Sequence, residues 1–220
     1  PCPDPNTGAN PPDGTTIAGP VVVNDKGSGC FLSGVTVNGD VVVSAGAFVD
    51  IEFSRVNGSV SVRGPGSATV IGKSTVTGAV SAQGNDFVDL FGARVGGEVN
   101  ESGAKFGTSF VCDSTIGSTL RDLQSTDATF PATIGDPGTG FECGPNTVAG
   151  DLVVLAGREG ATIRRNTVHG SIIVNANHTS SPIVVAANTV DKQILCSGNT
   201  PAPTGGANTA SAKVGQCARL

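Results

Sequence analysis

Apolar and polar positions alternate along this chain in a phrase that returns about every twenty residues: apolar, any residue, Gly, any residue, apolar. It runs Ile17 to Val21 around Gly19, Val37 to Val41 around Gly39, and Val56 to Val60 around Gly58. It continues around Gly78, Gly97, Gly150 and Gly170, with a weaker copy at Ile116-Gly117-Ser118-Thr119-Leu120 and a degenerate one at Val190 to Ile194. Successive anchors lie 19 to 22 residues apart, except for one step of 32 between Ile116 and Val148. A fixed period of this length is the signature of a solenoid.

Around each glycine the apolar residues recur at every second position: Val41 and Val43, Val60 and Val62, Ile172 and Val174. Period-two alternation rich in β-branched residues predicts strands. A second apolar pair precedes each anchor, as in Val49/Ile51, Val88/Leu90, Ala161/Ile163 and Ile183/Val185. Each repeat therefore holds at least two short strands, and no window carries a helical stripe. Strands coiled at constant period without helices stack in parallel, ~4.8 Å per rung. The expected fold is all-β, a single parallel β-helix of about 9–10 rungs. A left-handed coil keeps a hexapeptide rhythm near ~18 residues per turn. The longer, less regular rhythm here predicts a right-handed one.

Two positions before each anchor stands Ser54, Ser74, Ser114, Asn146, Asn166, Asn188 or Asn208. Stacked Asn side chains hydrogen-bond along a coil axis, so this row predicts a corner ladder. The next position forms a row of Thr75, Thr115, Thr147, Thr167 and Thr189, interrupted by Arg55 and Arg94.

Two stretches break the period. Residues 1–16 are rich in Pro, Gly and Asn and predict an irregular N-terminal cap before a helix domain of 17–220. The long step predicts an insertion at 121–140, a loop or an irregular rung extruded from the coil, and the stretch from Ser197 to Gly206 is rich in turn residues. The 32 glycines are about twice ordinary usage and suit a fold with several corners per turn.

The six cysteines fall where adjacent rungs meet, and the register pairs Cys2 with Cys30, Cys112 with Cys143, and Cys196 with Cys217. Such pairs would staple both ends and the long step. Even, register-matched cysteines fit an oxidising, extracytoplasmic setting. The opening Pro1-Cys2-Pro3-Asp4-Pro5 reads as a mature terminus after signal removal. The expected location is secreted, with no membrane insertion, since no long apolar run is present. A net charge of −5 without Trp or Tyr gives neither the basic stripe nor the aromatic platforms of a nucleic-acid surface. With no CxxC and only His169 and His178, neither a metal nor another cofactor is expected.

The Asn-Thr-Val-x-Gly unit and the stretch Cys196-Ser-Gly-Asn-Thr-Pro-Ala-Pro-Thr-Gly resemble small secreted β-helix proteins of actinomycete bacteria, a group largely without assigned function. The resemblance spans nearly the whole chain. It implies a secreted bacterial structural or surface protein and brings no catalytic residues with it. Lys192 and Ser211 replace the late glycines of the phrase, which predicts irregular final rungs.

Three function classes follow. An enzyme acting on polysaccharide, a lyase or hydrolase, would need clustered carboxylates and a basic partner. The candidates are Asp50 and Asp89, placed by register on one line two rungs apart with Val70 between, and Arg164, which neighbours Arg165 and His169. In the alternative reading these are solvated charges. Ice binding would need paired flat rows of Thr, and the row beside the Thr column reads Thr77, Gly96, Gly117, Ala149, His169 and Asp191. The favoured class is a non-catalytic scaffold or binding module, with polysaccharide or self-association as its partner. Its contact surface would involve Phe91, Phe110, Phe130 and Arg121. Phe91 and Phe110 are either an exposed apolar stripe or are covered by the insertion through Phe130, Pro131 and Ile134.

Overall fold

A computed structural model describes residues 10–24, 26–27, 29–104, 110–123, 131–138, 143–158 and 160–220. Every element among them is a strand, and every strand pair they form is parallel. Each strand pairs with its equivalent one rung on, for example Val41 with Val60 and Val60 with Val80. The chain is a parallel β-solenoid of about nine turns with three sheets. Sheet A runs from Thr16–Ile17 to Thr189–Val190 in nine strands. Sheet B runs from Val21–Val23 to Ala212–Gly215 in ten, and sheet C from Gly29–Ser33 to Thr204–Gly206 in nine. Among the described residues no helix is long and apolar enough to cross a membrane.

Three strands per turn, where the alternation predicts at least two, come from a corner hidden inside the repeated phrase. Val37 ends a sheet A strand and Val41 begins a sheet B strand. The glycine between them is required by close approach, and its φ is not positive. A Cβ on Gly58 would lie 2.6 Å from the Gly39 carbonyl carbon, and one on Gly170 would lie 2.5 Å from the Gly150 oxygen. The corner glycines stack backbone on backbone, so no side chain fits between rungs.

The inward columns make one continuous core. Leu32, Ile51, Ile71 and Leu90 stack in sheet C, and Val37, Val56, Val76 and Val95 in sheet A. Burial of each such side chain contributes about 1.5–3 kcal/mol. Thr69 takes an inward place because its hydroxyl donates to the Val49 carbonyl at 3.1 Å.

The polar row forms the expected ladder at the corner from sheet C to sheet A. Nδ2 of Asn146 donates to Oδ1 of Asn166 at 3.0 Å, that of Asn166 to Asn188 at 3.0 Å, and that of Asn188 to Asn208 at 2.9 Å. A second ladder, from Asn177 through Asn199 to Gln216, runs along the corner from sheet B to sheet C.

Segments flanking the first and last rungs are tied to the coil. Asn10 accepts the backbone N–H of Phe31, in the first strand of sheet C, and Gly14 donates to Gly34. At the far end the Cys196–Cys217 disulfide holds the tail, Leu220 packs on the core, and Lys213 Nζ donates to the Leu220 carbonyl. Thr189 still bridges to Thr209 beyond the last sheet A strand despite Lys192 and Ser211. Cys112–Cys143 forms a second disulfide, with Cα atoms 5.1 Å apart. Cys30 is fully buried and disulfide-bonded, and its expected partner Cys2 lies outside the described residues.

In the long step the described residues form strands in register with the coil on both sides of 124–130. Leu120–Leu123 is a regular strand of sheet B and Ala132–Gly135 one of sheet C. Ile134 therefore does not cover Phe91 and Phe110; it stands in the core, in register with Val111 and Ile163.

Candidate functional site

Alternate residues of sheet C point outward, and that face gathers aromatic side chains. Phe31, Phe48, Phe87, Phe91 and Phe110 all lie on its strands, and Phe53 follows one of them at a corner. These six are every phenylalanine among the described residues; Phe130 lies outside them. The rings touch in two groups. Phe48 meets Phe31 edge-on at 6.1 Å between centroids and Phe87 at 6.5 Å. Phe91 and Phe110 stack at 6.1 Å on neighbouring rungs. Phe31 and Phe53 are 49% and 60% exposed, and the other four are half-buried. Lys73 lies 5.3 Å from the Phe53 ring centroid.

Between the two aromatic groups runs the column Phe31, Asp50, Val70, Asp89, Phe110. Asp50 and Asp89 thus occupy one line two rungs apart, about 9–10 Å along the axis, with Val70 between them. Burial pushes the Asp89 carboxyl up to about 6, against the backbone N–H of Phe110 that it accepts at 2.9 Å. Burial and the neighbouring Glu52 charge raise Asp50 as well. One Asp50 oxygen is buried with no hydrogen-bond partner among the described residues. Apolar rings and partly desolvated carboxylates side by side can stack on a sugar face and accept its hydroxyl groups.

Arg164 does not join the two aspartates. Its register runs through Gly135, Cys112 and Phe91, three rungs or roughly 14 Å from the rung of Asp89. There it donates to the Pro137 carbonyl at 2.8 Å, while Arg165 pairs with Asp136. The Arg165 hydrogen bond holds the Asp136 carboxyl below its usual range. Both arginines pin residues 136–138 to the coil. His169 belongs to another surface, beside sheet A, and pairs with Asp191 at 2.8 Å. Arg121, expected with Phe91 and Phe110, is a correction too: it projects from sheet B, in register with Asn100 and Val153. The sheet A register confirms a single Thr column from Thr115 through Thr147 and Thr167 to Thr189, without a matching second row.

One constellation escaped the sequence. Glu101 and Asp122 stand in register at inward positions of sheet B, a column otherwise filled by Val43, Val62, Ala82 and Val154. Asn85, fully buried, donates to Glu101 at 2.6 Å. The two carboxylates border a small cavity with Val88, Val111, Leu120, Ala132 and Ile134. The readable signal was the alternation itself: Val99 and Glu101 share the phase of Val60 and Val62. Among the described residues no three His, Cys, Asp or Glu side chains cluster as a metal site.

No family model, curated protein or solved structure matches this chain.

Proposed function

We propose that the chain is a non-catalytic β-helical binding scaffold of an oxidising, extracytoplasmic environment, which holds a polymeric partner against the outer face of sheet C. The observation that carries this reading is the gathering of all six described phenylalanines on or beside that face. The repeat uses its inward residues for packing and its corner residues for ladders. Chemistry is left to outward columns, and among the described residues only sheet C combines aromatic rings with desolvated carboxylates there. Its acidic groups disfavour polyanions and suit a neutral polysaccharide, whose rings stack on phenylalanine and whose hydroxyls donate to Asp50 and Asp89. The disulfides support the extracytoplasmic setting.

A hydrolytic reading draws on one observation, the raised carboxyls of Asp50 and Asp89 on a shared line. Their spacing along the axis is near the ~6.5–9.5 Å of inverting glycosidases. Incubation of the purified chain with insoluble β-glucan and chitin, with bound protein and released reducing ends measured together, separates the two. The scaffold reading expects retention without product. Release of product that Asp89→Asn abolishes would establish the enzyme instead.

A further inference from the structure

The outer face of sheet B differs from that of sheet C in charge. Its outward strand positions run Val22, Val42, Ser61, Ser81, Asn100, Arg121, Val153, Ile173 and Leu195 in one column. A parallel column holds Arg63, Gln83 and Ser102. Neither column contains a carboxylate, on a chain with 18 acidic and 13 basic residues. Asp86 and Glu98 lie off these strands, on the corners that flank them. The two acids of these strands, Glu101 and Asp122, occupy inward positions.

Across three rungs this face forms a groove of about 380 Å³ lined by Arg63, Ser81, Gln83, Asn100 and Ser102. Arg63 marks one end. Arg121 stands one rung beyond the groove, in register with Asn100 and three rungs or roughly 14 Å along the axis from Arg63. Arg63 is oriented by its Nε, which donates to Ser61 Oγ at 3.1 Å, and its terminal nitrogens meet no acceptor among the described residues. Between the arginines, hydroxyls and amides both donate and accept, as the hydroxyls of a sugar do. Oδ1 of Asn100 is buried and has no donor among the described residues. A buried acceptor without a donor is costly, and a ligand hydroxyl would satisfy it.

We propose that this groove is a second binding site, for an acidic polysaccharide. The anionic groups engage Arg63 and Arg121, and the hydroxyls of the intervening sugars meet Asn100, Gln83, Ser81 and Ser102. Guanidinium groups pair bidentately with carboxylate or sulfate, so either anion fits the same chemistry. The site is distinct from the sheet C face.

Binding of the purified chain to dextran sulfate, polygalacturonate and uncharged dextran at low ionic strength tests this. The expected result is binding of a polyanion and not of dextran, weakened by salt. Preference for sulfate or for uronate identifies the anion. Arg63→Gln with Arg121→Gln should weaken binding by about tenfold or more. Arg55→Gln with Arg94→Gln removes equal charge from sheet A and should change it by less than about threefold. Asn100→Ala should weaken binding while leaving its salt dependence unchanged. Phe91→Ala with Phe110→Ala should leave it untouched, which separates this site from the sheet C reading. Melting temperatures report that each variant folds. Should the glutamine pair not fold, Arg63→Lys with Arg121→Lys keeps the charge and should still weaken binding by losing the bidentate contact. Absence of polyanion binding, equal binding of dextran, or equal loss in the sheet A pair would overturn the proposal.

Discussion

Asn166 and Asn188 are joined twice across one rung: Oδ1 of Asn188 accepts both the backbone N–H and the side-chain Nδ2 of Asn166, each at 3.0 Å. The same Nδ2 also donates to the Ile134 carbonyl. Both residues are almost fully buried. Asn166→Ala strands these partners without water and should cost roughly 2–4 kcal/mol in urea unfolding. Asn166→Ser should cost less, because serine bridges backbone groups in the same row, as Ser54 does between Leu32 and Val35. A loss below about 0.5 kcal/mol for the alanine variant would show that the ladder is ornamental.

Gly19 and Gly58 hold equivalent places in the repeat but have different neighbours. A Cβ on Gly19 meets nothing within 4 Å, whereas one on Gly58 would lie 2.6 Å from the Gly39 carbonyl. Gly19→Ala should therefore change stability by no more than about 0.5 kcal/mol. Gly58→Ala should destabilise by roughly 1–3 kcal/mol or more, since rung spacing is fixed by the ladders on either side. Equal effects in thermal unfolding would contradict the rung stacking.

Much of this stacking was legible from the chain, because inward columns repeat in sequence with little variation. Val37, Val56 and Val76 announce a core, and Asn146, Asn166 and Asn188 announce a ladder. The third sheet was hidden because the phrase from Val37 to Val41 reads as continuous alternation while the backbone turns at Gly39. The long step left loop and irregular rung as alternatives, because Asp122 replaces an apolar inward residue. The second ladder was missed because Asn177, Asn199 and Gln216 differ in type and spacing. The sheet C face was half visible. Phe91 and Phe110 stood out, but their union with Asp89 depends on the pairing of rungs.

Asp89 gives the fold a pH dependence of predictable sign. Its carboxyl titrates at about 6 in the folded chain, above the ordinary 3.8, because burial disfavours the charge. The folded state therefore holds its proton where the unfolded chain has lost it, and stability falls as pH rises from about 4 through about 6. The loss is on the order of 2–3 kcal/mol. Asp50, raised in the same direction, adds to it. Asp89→Asn should flatten this window and raise stability at neutral pH, provided its Oδ1 keeps the Phe110 N–H. An unchanged slope between pH 4 and 6 would rule out Asp89 as its source.

The claim that sheet C is the contact face is tested most directly by dissociation constants for a neutral polysaccharide retained by the native chain. Three forms are compared: native, Phe91→Ala with Phe110→Ala, and a sheet A control, Thr147→Val with Thr167→Val. The account predicts that the phenylalanine pair weakens binding by about tenfold or more, as loss of stacked aromatic anchors does. It predicts that the control stays within about twofold, and that no sugar is released by any form. Equal affinities for the native and phenylalanine-free chains would contradict it.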